Sequence, residues 1–138
     1  MISFFNEDMD FKVPQSRKIK AWIKNTAETE GFKLNQLNYI FCSDEHLLNV
    51  NRAYLNHDFY TDIITFDNSE FENEVEGDIF ISVERVKENA AEFSKSFEEE
   101  LKRVLVHGVL HLVGFNDETD EEEIKMREKE DFYLSIFP

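Results

Sequence analysis

The chain has 138 residues, of which 41% are hydrophobic and 14% aromatic; that is enough apolar material for a packed core and excludes a disordered chain. Thirty acidic side chains against fifteen basic ones give a formal net charge of −15, which excludes the broad basic footprint usual in nucleic-acid binders. No basic-then-apolar leader and no run of membrane-spanning length is visible, so a cytoplasmic protein without membrane association is expected, and the lone Cys42 excludes an internal disulfide and reads as buried packing.

Ile2 to Phe5 reads as an opening strand, and Pro14 to Glu30 as an amphipathic helix that packs Ile19, Trp22 and Ile23 inward. Leu37 to Cys42 forms a second strand, Asp44 to Leu55 a helix and Thr61 to Phe66 a third strand. The polar stretch Asp67 to Glu76 links it to a fourth, Asp78 to Ile81. Ser82 is placed to cap the next helix. Ser96 with Glu99 makes a capping box ahead of a further helix, and Thr119 with Glu122 repeats the box for the last one. No repeat or linker interrupts the chain. The predicted architecture is a single domain over residues 1–138, of the α+β class, with a small mixed four-stranded sheet covered by helices.

The chemistry concentrates in His107-Gly108-Val109-Leu110-His111-Leu112-Val113-Gly114-Phe115-Asn116-Asp117. Residues four apart lie one above the other on a helix, so His107 and His111 can present two imidazoles to one ion. Gly114 ends that helix, its freedom at positive φ lets the chain turn back, and Asp117 brings a carboxylate as third ligand. The flanking segment is apolar, and polar rings inside it need partners. Two imidazoles and a carboxylate leave a coordination position open, as in a catalytic divalent site. Zinc is the expected ion, with a harder divalent metal the alternative that the carboxylate favours. The metal site therefore lies on a C-terminal helix and the turn after it. Zinc peptidases place Glu immediately after the first His as general base; Gly108 stands there, which turns the expectation away from ordinary peptide hydrolysis.

These residues resemble the signature of the YbeY-type endoribonucleases, H-G-x-L-H-L-x-G-[YF]-D-H. The similarity extends to Thr61-Asp62-Ile63-Ile64-Thr65-Phe66, to Gly77-Asp78-Ile79, to Glu100-Leu101, and to Met126 with Glu130. It covers roughly the last hundred residues. The resemblance implies an α+β fold and a metal-dependent, single-strand-specific endoribonuclease, a hydrolase of ribosomal RNA maturation. Its partners would be ribosomal RNA and with it ribosomal particles or a ribosomal protein, with no DNA. Two positions depart from the pattern. Asp117 stands where the family has a third His, and Leu55 where it usually has an Arg thought to serve phosphate chemistry; Arg52, one helical turn earlier, is the candidate replacement.

Arg103, one turn before His107 on the same helix face, is the other catalytic candidate, either contacting a phosphate or bound to Glu99 or Glu100. Asp78 is a candidate acceptor for a ligand His N–H, or else a plain strand-end carboxylate. His57 belongs to a loop and His46 to a helix surface. Tyr54, Phe59 and Tyr60 suit either base stacking or the core. Six basic and five acidic side chains fall in residues 1–35, so Arg17, Lys18, Lys20 and Lys24 offer the basic face an RNA would use, if they are not simply solvated. Two other classes stay open: a different metallohydrolase, including an atypical peptidase with a base such as Glu118, and a ribosome assembly factor that binds without cutting.

Overall fold

A computed structural model describes residues 1–138. Apolar, β-branched and aromatic side chains carry β1 (Ile2–Asn6), β2 (Lys33–Cys42), β3 (Ile63–Asp67) and β4 (Glu74–Ser82) into one four-stranded sheet in the order β1-β2-β4-β3. β1 and β4 both run parallel to β2, and β3 pairs antiparallel with β4, so the sheet is mixed as expected. The helices are α1 (Ser16–Thr29), α2 (Asp44–Leu55), α3 (Val83–Glu92), α4 (Phe97–Leu112) and α5 (Asp120–Ser135). None is long and apolar enough to cross a membrane.

Two strands are longer than their composition suggests. β4 begins at Glu74 because Val75, Gly77 and Ile79 alternate inward while Glu74, Glu76 and Asp78 alternate outward; the acidic outer face hides the period of two. In β2 the register against β4 shifts between Leu34 and Gln36, so the buried Leu34 and Leu37 are three residues apart and break the alternation that a strand normally displays.

The core lies between the sheet and α4, where Leu101, Leu105, Val106, Val109 and Leu110 have no exposure at all. Burying five such side chains contributes roughly 1.5–3 kcal/mol each before conformational entropy is charged against it. Polar atoms inside are matched: the Tyr39 hydroxyl donates to the Leu105 carbonyl at 2.8 Å, and Trp22 Nε1 donates to the Tyr133 carbonyl at 2.8 Å, tying α1 to α5. Gly108 lets α4 settle against the strands. A Cβ there would come within 2.8 Å of Ile79 Cδ1 and 3.0 Å of Ile63 Cδ1. Cys42 is buried under α2 beside Leu47 and Ile64, and burial pushes its thiol up to about 12, in keeping with a packing role.

Candidate metal centre

Helix periodicity and one turn assemble the site. α4 starts from the Ser96–Glu99 capping box and carries His107 and His111 on its third and fourth turns, their rings 4.6 Å apart and nearly perpendicular. At the far end the Gly114 amide donates to the His111 carbonyl and the Phe115 amide to Leu110. This is the paired closure of a Schellman motif, with Gly114 at φ 102° in its left-handed position. The reversed chain brings Asp117 back over the imidazoles. Thr119 then caps α5 with Glu122, fixing the backbone two residues beyond the carboxylate.

The three side chains meet. His107 Nε2 and His111 Nε2 are 3.0 Å apart, and Asp117 Oδ2 is 3.4 Å from each. Ligand atoms about 2.0–2.1 Å from a tetrahedral ion stand roughly 3.3–3.4 Å from one another, so the spacing fits one ion among them. Both ring nitrogens and a carboxylate oxygen turn toward one point, which a cation there would occupy.

The ring orientation is set from α5. Glu130, 5% exposed, accepts from His107 Nδ1 at 2.6 Å, which assigns the proton to Nδ1 and leaves Nε2 with its lone pair facing His111 and Asp117. The other Glu130 oxygen accepts from Arg103 Nη1 at 2.7 Å, and Arg103 Nη2 donates to Asp131 at 2.7 Å. Burial opposes the charge on Glu130, but the hydrogen bonds from His107 and Arg103 outweigh it and hold its carboxyl below the usual range. Burial likewise opposes a charged His107, yet Glu130 and Asp117 hold its ring above the ordinary value, whereas burial and the neighbouring His107 depress His111.

A cleft of about 430 Å³ opens beside His107 and Asp117, within the size range of small-ligand pockets. Arg103, Lys95 and Arg127 bring positive charge to it beside four carboxylates, Asp62, Glu100, Asp117 and Glu130; burial raises the pKa of Asp62 and Glu100. Cations and carboxylates are thus interleaved in this cleft.

Several expected residues lie elsewhere. Arg52 sits in the last turn of α2, ion-paired with the exposed Asp58 and not among the residues lining the cleft. Arg103 does line the cleft, but its carboxylate partners are Glu130 and Asp131 on α5 rather than Glu99 or Glu100 on its own helix. Asp78 is not the acceptor for a ligand imidazole. It lies mid-strand on β4, bound to Asn38 and Asn68, and Glu130 takes that part. One signal for Glu130 was present: Met126, Glu130 and Tyr133 form the buried stripe of α5, and a carboxylate on an apolar stripe calls for a partner.

Of the basic residues on α1, Lys20 lies over the Phe4 ring and Lys24 pairs with Glu28; none lines the cleft. Tyr54, Phe59 and Tyr60 are exposed rather than core, with His57 stacked on Phe59 at 5.1 Å.

The sequence profile described as Endoribonuclease YbeY matches residues 2–137. A protein of that name from Cytophaga hutchinsonii is 52% identical over 135 residues, covering 98% of this chain and 94% of its own length. Another from Flavobacterium psychrophilum is 48% identical, covering 99% and 96%. A solution structure of a protein from Thermotoga maritima superposes with a TM-score of 0.68 at 30% identity, covering 98% of this chain and 87% of that one.

Proposed function

Given that this chain belongs to the endoribonuclease YbeY family, we propose that it is a metal-dependent endoribonuclease that cuts single-stranded RNA during ribosomal RNA maturation, as a single domain in the cytoplasm. The observation that carries this reading is the convergence of His107, His111 and Asp117 beside a cleft that also holds Lys95, Arg103 and Arg127. These three residues would hold one ion, zinc by the number and type of ligands. Bound there, such an ion supplies Lewis-acid polarisation of a phosphoryl oxygen and activates water at neutral pH.

The chain's own residues orient and recognise. Glu130 holds the His107 ring with Nε2 free, and Arg103 holds Glu130 while lining the cleft. Arg127 and Lys95 supply further positive charge for phosphate oxygens. Arg52, outside the cleft, has no part in this reading.

The peptidase alternative is disfavoured by Gly108. The position that carries a peptidase's general base faces the strands, where an added Cβ would press on the Ile63 and Ile79 side chains, and it is not among the residues lining the cleft. The test is cleavage of single-stranded RNA by metal-loaded protein with and without chelator, beside His111→Ala. Metal-dependent cutting lost in His111→Ala is expected. RNA left intact by the loaded protein, with ribosomal particles still bound, would favour the non-cutting assembly factor.

A further inference from the structure

Glu100 stands apart from the other carboxylates of the centre. It lies on α4, 6% exposed, with its side chain aimed into the cleft that His107 and Asp117 share. Glu99 is used by the capping box and Glu130 by His107 and Arg103, but no donor of the protein hydrogen-bonds the Glu100 carboxylate. Its oxygens are not sealed off from solvent but open onto the cleft, where a donor carried by a ligand can reach them. Asp62, on the same wall, has only a long 3.4 Å contact from Asn89 Nδ2.

That ligand is not a second metal ion. Only His107, His111 and Asp117 bring three ligand atoms together, and Glu100 is not one of that group. Neutral N–H donors suit it better. At the cleft rim α3 closes through a left-handed Ser94, with the Lys95 amide donating to Ala90 and the Ser94 amide to Ala91. This turn sets Phe93, 55% exposed, and Lys95 on one edge of the cleft. An exposed ring at the edge of a cleft that holds an unengaged carboxylate, with cationic side chains nearby for the adjoining phosphate, is a layout by which proteins hold an unpaired base.

We propose that this cleft is a nucleobase pocket selective for an unpaired guanine beside the cleaved phosphodiester, with Phe93 stacking on its face and Glu100 accepting from its N1–H and N2–H groups. The choice of base follows from donor count. A carboxylate only accepts, and guanine alone offers two adjacent donors on its Watson–Crick edge. Adenine and cytosine set a donor beside an acceptor, and uracil flanks one donor with two acceptors, so each turns a lone pair toward a carboxylate oxygen. The proposal rests on the endoribonuclease reading above, and names the substrate feature that reading leaves open.

The experiment maps cleavage of otherwise identical single-stranded RNA oligonucleotides in which one position carries guanine, adenine, cytosine, uracil or inosine, using metal-loaded protein. Cutting beside guanine is expected to exceed the other natural bases by about tenfold or more in kcat/KM, the discrimination typical of one bidentate base contact. Inosine, which lacks only the N2 amine, is expected to lose most of that advantage. Glu100→Gln, which turns an N–H toward a guanine N–H, is expected to flatten the base preference while thermal melting shows the fold intact. Equal cutting at all bases, or guanine and inosine cut alike, overturns the pocket and leaves the nuclease reading standing; the inosine arm holds even if the variant does not fold. Absence of any RNA cleavage overturns both.

Discussion

Glu130 on α5 accepts the hydrogen bond of His107 Nδ1–H on α4 at 2.6 Å, and with it decides which ring nitrogen is free for a metal. The two residues are twenty-three positions apart, and the contact joins the last helix of the chain to the centre. Carboxylate partners of this kind raise the basicity of a ligand imidazole and lock its orientation.

Glu130→Gln is therefore expected to weaken zinc binding by roughly 10- to 100-fold, the usual cost of losing a carboxylate behind a ligand His. Competition against a chromophoric chelator measures it. Arg103→Ala should move affinity in the same direction by a smaller factor, because it acts on His107 only through Glu130. Unchanged affinity in both variants would remove α5 from the metal centre.

Zinc should stabilise the folded protein by mass action, by about 2.7 kcal/mol when the free ion is at 100 times Kd. For a chain of this size that is a rise in Tm of roughly 5–10 °C. His111→Ala should melt near the metal-free wild type and show no such rise, as read by calorimetry with and without zinc.

Gly108→Glu would restore the residue pattern of a zinc peptidase, and is expected to yield no peptidase. The new side chain would enter between α4 and the strands at Ile63 and Ile79, overpacking the core and burying a charge, for a loss of roughly 3 kcal/mol or more. Urea unfolding should show the loss. A stable variant that hydrolyses peptides would reverse the assignment of this position.

Gly114→Ala forces a side chain into the left-handed conformation at φ 102°, at a cost of about 1–2 kcal/mol. Because the same turn carries Asp117 to the imidazoles, metal affinity should fall with stability, whereas a substitution at exposed Glu121 should change neither. Paired melting and zinc titrations separate the two effects.

RNA binding should depend only weakly on salt. With Lys95, Arg103 and Arg127 as the cleft's cations, two or three phosphate contacts predict a slope of about −1.5 to −2 in log K against log[salt], and Arg127→Ala should reduce it by about 0.7. A slope several times steeper would place the RNA on another surface, with the basic face of α1 the first candidate.

The meeting of His107, His111 and Asp117, the helix caps and the α+β class with its four strands were readable from the order of residues, because each depends on local geometry. The i, i+4 spacing stacks His107 on His111, a glycine three residues on lets the backbone reverse, and Ser or Thr followed by Glu satisfies the amides of a helix start. Where local patterning is disturbed, strand extents do not show in the sequence: the register shift in β2 and the acidic outer face of β4 both mask residues that the sheet completes. The partners of side chains lay beyond any local rule. That Glu130 rather than Asp78 meets His107, that Arg103 turns to α5, that Gly108 faces the strands and that Glu100 is left unpaired are results of how α4 and α5 pack, since long-range contacts arise from the mutual fit of whole surfaces and leave no fixed spacing along the chain.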